Sequence, residues 1–158
     1  MKHFLRNFLS AAAVVLFAVS CDKNDGIAEE QTLPVTYINI EGTWELVEWN
    51  GEPLAEGTYA YIELTRQGEF SSYSNIESTA LVTTAKTGTY DIDQDDDTVG
   101  GYYDYLDYEP WAHRYVVSGL TATSMTWTAD DDASEVRVYS RIDSIPEDIV
   151  TPGNDDAE

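Results

Sequence analysis

The residue types that most often carry covalent or metal chemistry are scarce in this 158-residue chain. It has one cysteine, Cys21, and two histidines, His3 and His113. His3 lies in a segment that we expect to be removed (see below), so His113 has neither a cysteine for a catalytic dyad nor a second histidine for a zinc site. We therefore predict no catalytic residue and no cofactor, and we expect His113 to lie on the surface or to pack on a strand.

Carboxylates are the abundant reactive group, and one run of them follows a metal-binding pattern. Asp91, Asp93 and Asp95 have the spacing that opens a calcium loop, where hard cations need clustered oxygen ligands. The sixth position is Asp96 instead of glycine and the twelfth is Tyr102 instead of glutamate, which fails the EF-hand pattern. We favour a solvated hairpin loop and predict no metal site, keeping these three aspartates as weak calcium candidates.

The densest aromatic segment is YYDYLDYEPW at residues 102–111. In a regular strand, alternation would place aromatic rings on both faces. Tyr103, Tyr105 and Trp111, together with Trp127 further along, are candidates for stacking on a sugar or an apolar ligand beside carboxylates. The alternative is that tyrosines are good strand formers that fill a barrel. For any single tyrosine we favour the second interpretation.

The overall charge excludes one large class of function. The chain has 8 Lys and Arg residues against 30 Asp and Glu residues, a net charge of −22, and nucleic-acid affinity depends on clustered basic side chains. A single cysteine also excludes a disulfide framework. The chain contains 4 Trp, 11 Tyr and 4 Phe residues, which is too aromatic for simple disorder.

The first 20 residues are typical of a secretory signal peptide. A positive start with Lys2 and Arg6 leads into an apolar run that is too short to span a membrane. The run ends in AVSC at residues 18–21, which resembles the lipobox of bacterial lipoproteins, although Ala18 stands where leucine is usual. We therefore expect Cys21 to be lipidated, so that an outer-membrane lipoprotein faces the periplasm or the cell surface and touches the membrane only through its lipid.

Composition divides the remaining chain into three parts. Residues 21–36 are polar and acidic, which predicts a flexible tether. Residues 146–158 hold two prolines, one glycine and several acids, which predicts a disordered acidic tail. Residues 37–145 are left as one folded domain of ordinary size.

Within that domain the pattern predicts an all-β fold. Short runs rich in Tyr, Trp, Val, Ile and Thr recur every 8–12 residues between Gly, Asp, Asn and Ser clusters. Eight consecutive antiparallel strands leave two exposed edges unless the sheet closes, so we expect a barrel. The predicted strands are 43–50, 58–66, 69–76, 87–93, 99–107, 112–120, 125–129 and 135–142.

These segments resemble the lipocalin-like domains of Bacteroidetes lipoproteins, which have a calycin-like barrel. The resemblance rests on EGTWEL at 41–46, WNG at 49–51, LTRQGEF at 64–70, GTYDI at 88–92, GLT at 119–121, MTW at 125–127 and VYSRI at 138–142. It implies an eight-stranded antiparallel up-and-down β-barrel with a cavity at one end. It also implies that Trp44 closes the barrel floor and that Arg141 packs on it. Residues 77–86 are an insertion relative to the family pattern, and we expect them to form either a lid or a long loop.

Three functions are compatible with the sequence. The first is a lipid-anchored lipocalin-like protein that holds a small apolar or amphipathic ligand in its barrel. The second is a carbohydrate-binding surface protein that uses exposed aromatic rings. The third is a hydrolase, which we rank last because the reactive residue types are nearly absent.

Overall fold

The computed structural model describes residues 30–105 and 107–151. In this part of the chain, nine strands form one antiparallel sheet flanked by two short helices. The strands are β1 (Gly42–Trp49), β2 (Glu52–Pro53), β3 (Ala60–Leu64), β4 (Glu69–Ser74), β5 (Thr84–Asp93), β6 (Thr98–Tyr103), β7 (Tyr115–Ser118), β8 (Ser124–Ala129) and β9 (Val136–Ile142), and the helices are α1 (Tyr37–Ile40) and α2 (Glu147–Val150).

Strand β1 closes the sheet because it pairs with β3 on one side and with β9 on the other. Eight strands therefore form an up-and-down barrel, and the two-residue β2 only extends the end of β1. The predicted eight-stranded antiparallel barrel is confirmed. No helix in the described ranges is both long and apolar enough to cross a membrane.

Alternation along the strands decides which side chains face the interior. On β8, Met125 and Trp127 are almost fully buried. On β9, Arg137, Tyr139 and Arg141 share the inward face, with Arg137 lining the interior cavity and Arg141 lying over Trp44. The inward row of β9 therefore carries two positive charges, one near each end of the strand.

The closed end of the barrel is built around Trp44, whose side chain is fully buried. Its indole Nε1 donates to the carbonyl of Ile40 at 2.9 Å, which fixes α1 across the opening. The guanidinium of Arg141 lies 4.0 Å from the centre of the Trp44 ring. Arg141 also donates to the carbonyls of Ala122 at 2.8 Å and Asn39 at 2.9 Å, so it joins the helix, the β7–β8 turn and the last strand.

Gly42 makes room for Arg141 at this end. It has a φ of 136°, and a Cβ atom at this position would overlap Nη1 of Arg141. Only glycine avoids both the strained backbone and the clash. The glycine of the EGTWEL segment is therefore needed for the packing of the floor.

The segment before α1 differs from the predicted tether over 21–36. The N–H of Leu33 donates to the carbonyl of Leu120 at 2.7 Å, and Val35 is buried in the core. The Thr36 side chain caps α1. The packed unit thus begins near Leu33 instead of at residue 37, because two apolar side chains in a polar stretch cover the closed end.

The segment after β9 also differs from the prediction of a disordered tail from residue 146. Ile149 on α2 is buried with Ile145 and Tyr61 in a small cluster on the outside of the barrel. Apolar contact with the barrel wall orders this part in spite of its acidic composition. The rest of the predicted tail, residues 152–158, lies outside the described residues, as do the signal peptide and Cys21.

Several strand boundaries fall elsewhere than predicted, and two of them shape the open end of the barrel. β5 begins at Thr84, which pairs with Ser74 of β4, so the loop in place of the predicted 77–86 insertion is shifted to residues 75–83. β6 ends at Tyr103 instead of 107, because Asp107 and Tyr108 have positive φ values of 56° and 63°. The loop that follows is correspondingly long and runs to the start of β7.

Candidate functional site

A cavity of about 190 Å³ occupies the end of the barrel opposite α1. This is the end where Trp49 of β1 pairs with Arg137 of β9. Strands β1 and β3 to β9 and the loops after β4 and β6 line it, with side chains that include Leu46, Trp49, Phe70, Ser72, Ser74, Thr84, Lys86, Tyr103, Trp111, Tyr115, Trp127, Arg137 and Tyr139. The site therefore combines an aromatic wall with a polar part that holds serine and threonine hydroxyls, the Glu77 carboxylate and two cations.

Trp127 is the centre of the aromatic wall. Its ring centre lies 5.8 Å from that of Trp111 in a stacked arrangement, 5.5 Å from that of Tyr115 and 5.0 Å from that of Tyr139. Phe70 meets Trp111 edge-on at 5.1 Å. Such mutual packing holds the rings in fixed orientations and presents a flat apolar surface to the cavity.

Trp111 belongs to the β6–β7 loop but reaches the interior because of a glycine. Its backbone N–H donates to the carbonyl of Gly101 at 2.8 Å. A Cβ atom on residue 101 would lie 2.5 Å from the indole of Trp111. The missing side chain on β6 is therefore the space that the tryptophan occupies.

The aromatic candidates named from the sequence meet at this end. Tyr103, Trp111 and Trp127 line the cavity. Tyr105 stacks on Tyr103 at 5.3 Å and is 40% exposed, so it lies at the rim. Trp44, the other aromatic residue singled out, lies with its arginine at the closed end.

The aspartates of the calcium pattern are not brought together. Asp91 pairs with Arg114 at 3.0 Å, and Asp93 accepts the backbone N–H of Asp95 at 3.0 Å. In the part of the chain that the structure describes, no group of three or more His, Cys, Asp or Glu side chains is placed to hold a metal ion.

His113 links two loops at the mouth of the barrel. Its Nδ1 lies 2.6 Å from Oδ1 of Asp131, which joins the β6–β7 loop to the β8–β9 loop. Its ring also meets that of Tyr115 edge-on at 5.9 Å. The contact fits the packing role that the sequence suggested.

Arg137 is a cavity residue that sequence reasoning did not select. Its Nε donates to Oε1 of Glu135 at 2.7 Å, and its guanidinium lies 5.0 Å from the Tyr115 ring centre and 5.6 Å from that of Trp49. Trp49 in turn donates to Oε2 of Glu135 at 2.8 Å. The available signal was spacing: Arg137 lies four residues before Arg141 and thus on the same face of β9.

The surroundings keep Arg137 charged. Burial lowers the pKa of Arg137, but the nearby oxygens of Tyr139 and Tyr115 and the Glu135 carboxylate outweigh burial and raise it overall. A charged group inside an aromatic cavity is therefore maintained at neutral pH.

Lys86 is the second cavity residue that sequence reasoning missed. Its Nζ lies 5.3 Å from the Tyr103 ring centre and 3.5 Å from Oε2 of Glu77. The Lys86 side chain is 27% exposed, whereas that of Glu77 is 79% exposed. The predicted strand boundaries leave Lys86 in a loop, but alternation back from the buried Tyr90 of β5 points it inward.

The cavity tyrosines are protonated at neutral pH. Burial is the largest cause in each case and raises the pKa of Tyr103, Tyr115 and Tyr139 above the usual value for a phenol. A protonated phenol can both donate and accept a hydrogen bond. The site can therefore offer hydroxyl groups and two cations to a ligand that stacks on the indole rings.

Two solved structures are similar to this chain. A solved structure of a lipocalin-like protein from Bacteroides uniformis is 12% identical, with a TM-score of 0.49, and covers 66% of this chain and 99% of that one. An NMR structure of a protein from the same organism is 16% identical, with a TM-score of 0.51, and covers 70% and 94%. The second likeness supports the fold alone. No curated protein matches the chain.

A family match is more specific than these likenesses. The lipocalin-like domain family matches residues 40–127, more than half of the chain, from the end of α1 to the centre of β8. The resemblance drawn from the sequence segments is thereby confirmed. This chain belongs to the lipocalin-like domain family.

Proposed function

We propose that the protein binds a small apolar or amphipathic molecule in the open end of its barrel. The observation that carries this proposal is the cavity of about 190 Å³ lined by Trp, Tyr and Phe side chains. Ligand sites are typically concave and mostly apolar, with a few polar groups that set orientation. Because typical ligand pockets span about 300–1,000 Å³, we expect a compact ligand.

The tryptophans provide a direct test. Trp49, Trp111 and Trp127 line the cavity, so a bound ring system should quench intrinsic fluorescence with saturation. Ser72 points inward on β4 and its neighbour Ser71 points outward. Ser72→Phe should abolish saturable quenching, and Ser71→Phe should leave it unchanged. Equal affinity in both variants would contradict binding in the barrel.

A binding role is also favoured over catalysis. The described residues supply aromatic rings, phenols and two paired cations around the cavity, and lipocalin-like barrels serve in general as binding folds. A broad hydrolase screen on the purified protein tests this directly. Turnover that disappears in Glu77→Gln, which removes the carboxylate that lines the cavity, would support the hydrolase instead.

Glycan binding at the rim is the second candidate. Tyr102, Tyr105 and Tyr108 are 49%, 40% and 66% exposed, and flat exposed rings can stack on sugars. Tyr105→Ala should then weaken binding to a glycan array while leaving the response of the cavity tryptophans intact. A barrel ligand would give the opposite pattern.

We further propose that the protein is anchored to the outer membrane through a lipid on Cys21, facing the periplasm or the cell surface. The lipobox-like residues 18–21 support this, and two or three acyl chains on one cysteine hold a protein firmly, since each buried CH₂ contributes about 0.8 kcal/mol. Cys21→Ser should move the protein from the membrane to the soluble fraction. Unchanged membrane association would contradict the anchor.

A further inference from the structure

We propose that the ligand is an anion, a flat apolar body that carries one carboxylate, and that Lys86 and Arg137 bind this head group. The inference rests on the proposed binding function and narrows its ligand class.

The distribution of charge is the first argument. The chain carries 30 acidic residues, and its described part has only five Lys and Arg residues, of which two line the cavity. A surface so acidic repels anions in general. Two cations inside an aromatic pocket are therefore a local exception to the character of the whole molecule.

The setting of Arg137 is the second argument. Glu135 takes one of its five N–H donors and is itself held by the indole of Trp49. The rings of Trp49 and Tyr115 flank the guanidinium. Its orientation is thus fixed, and its terminal Nη groups remain to donate to an acceptor in the cavity that Arg137 lines. A fixed guanidinium is well suited to a carboxylate.

The setting of Lys86 is the third argument. Its partner Glu77 is highly exposed and lies 3.5 Å away, and such an exposed ion pair contributes little. A ligand carboxylate deeper in the pocket can replace Glu77 at small cost. The polar side chains of Ser72, Ser74 and Thr84 line the cavity close to Lys86 and add hydroxyl donors.

Tyr103 joins the two cations. Burial is the main influence and raises the pKa of its phenol, while Lys86 and Arg137 both act to lower it. Nζ of Lys86 lies 5.3 Å from the Tyr103 ring centre, and Arg137 lines the same cavity, although the two cations come from β5 and β9. A head group in this cavity beside Tyr103 would face Lys86 and Arg137, with its apolar body on the Trp111 and Trp127 rings.

The test compares three probes of one shape: 2-naphthoate, 2-naphthamide and 2-naphthylmethylammonium. Titration by calorimetry and tryptophan fluorescence should show the carboxylate binding about tenfold more tightly than the amide, and the ammonium weakest. Lys86→Met and Arg137→Met should each remove most of this preference. Arg66→Gln is the matched control, since Arg66 is an exposed cation paired with Glu41 away from the cavity.

Arg137→Met leaves Glu135 without its cation, so a double variant, Arg137→Met with Glu135→Gln, keeps the test valid if the single variant unfolds. Equal saturable binding of carboxylate and amide would overturn the anion preference and leave the binding function standing. A preference that persists in both the Lys86 and Arg137 variants would also overturn it. Absence of saturable binding by all three probes would overturn both proposals.

Discussion

The two ends of this barrel use the same pair of residue types for different purposes. At the closed end Arg141 lies over Trp44, and at the open end Arg137 lies beside Trp49. Arg137 precedes Arg141 by four residues and lies on the same face of β9. Arg141 donates to three backbone carbonyls, including that of Glu41. Arg137 donates to a single carboxylate and borders a cavity. Every nitrogen of Arg141 thus bonds to the backbone, whereas Arg137 retains N–H donors that could bind a ligand.

This contrast predicts that damage to the closed end mainly affects stability and damage to the open end mainly affects binding. The largest effect should come from Trp44→Ala. Removing a fully buried tryptophan typically costs about 3–5 kcal/mol, and this one also holds α1 through Ile40. Urea unfolding of the variant and the wild type measures the difference. A loss of unfolding free energy below about 1 kcal/mol would contradict the proposal that the closed end stabilises the barrel.

The two arginines allow a direct comparison. Arg141→Met leaves three carbonyls without their donor, but these bonds are exposed or only part-buried, so water can replace much of each one. We expect a loss of about 2 kcal/mol in the free energy of unfolding with unchanged ligand preference. Arg137→Met should lose less stability and most of the preference for an anion. Equal losses of unfolding free energy in Arg141→Met and Arg137→Met would contradict the proposal that the closed end serves stability and the open end serves binding.

Gly101 gives an intermediate effect confined to the open end. Gly101→Ala places a methyl group where the Trp111 indole lies, and overpacking of this kind costs about 1–3 kcal/mol. The displaced indole should also lower affinity for ring-containing probes. Fluorescence emission and unfolding curves measure both effects. Gly51→Ala at the open β1–β2 turn is the control, because no atom lies within 4 Å of the position that its methyl group would take, although its positive φ adds some backbone strain.

The smallest effect concerns the pH dependence of Glu135. Burial raises the pKa of its carboxyl, but hydrogen bonds from Trp49 and Arg137 outweigh burial and lower it below 4.5. A folded-state pKa below the unfolded value stabilises the protein above about pH 4.5, and this stabilisation is lost as the pH falls through the folded value. The stability advantage of the wild type over Glu135→Gln should therefore shrink below about pH 4.5. If the difference in unfolding free energy between the wild type and Glu135→Gln stays constant from about pH 7 to about pH 3, the lowered pKa of Glu135 does not contribute to stability.

The sequence predicted the closed end better than the open end. Trp44 lies in a local segment, EGTWEL, whose pattern resembles the family, and Arg141 follows from antiparallel closure of β1 on β9. Alternation within each strand then sets the inward faces. The shape of the open end depends on long loops and on the residues at which strands begin and end. No short repeating pattern in the sequence marks the start of β5 at Thr84 or the end of β6 at Tyr103.

The sequence by itself determined the barrel, because period-two alternation and frequent turn residues leave a closed antiparallel sheet as the way to bury one face of every strand. It also determined the aromatic content of the interior. Only the tertiary structure decided that Lys86 and Arg137 share one cavity, since these residues lie on β5 and β9 and meet across the interior of the barrel. Alternation along a strand predicts whether a side chain points into or out of the barrel. Which residues of other strands it then contacts depends on how distant strands pair.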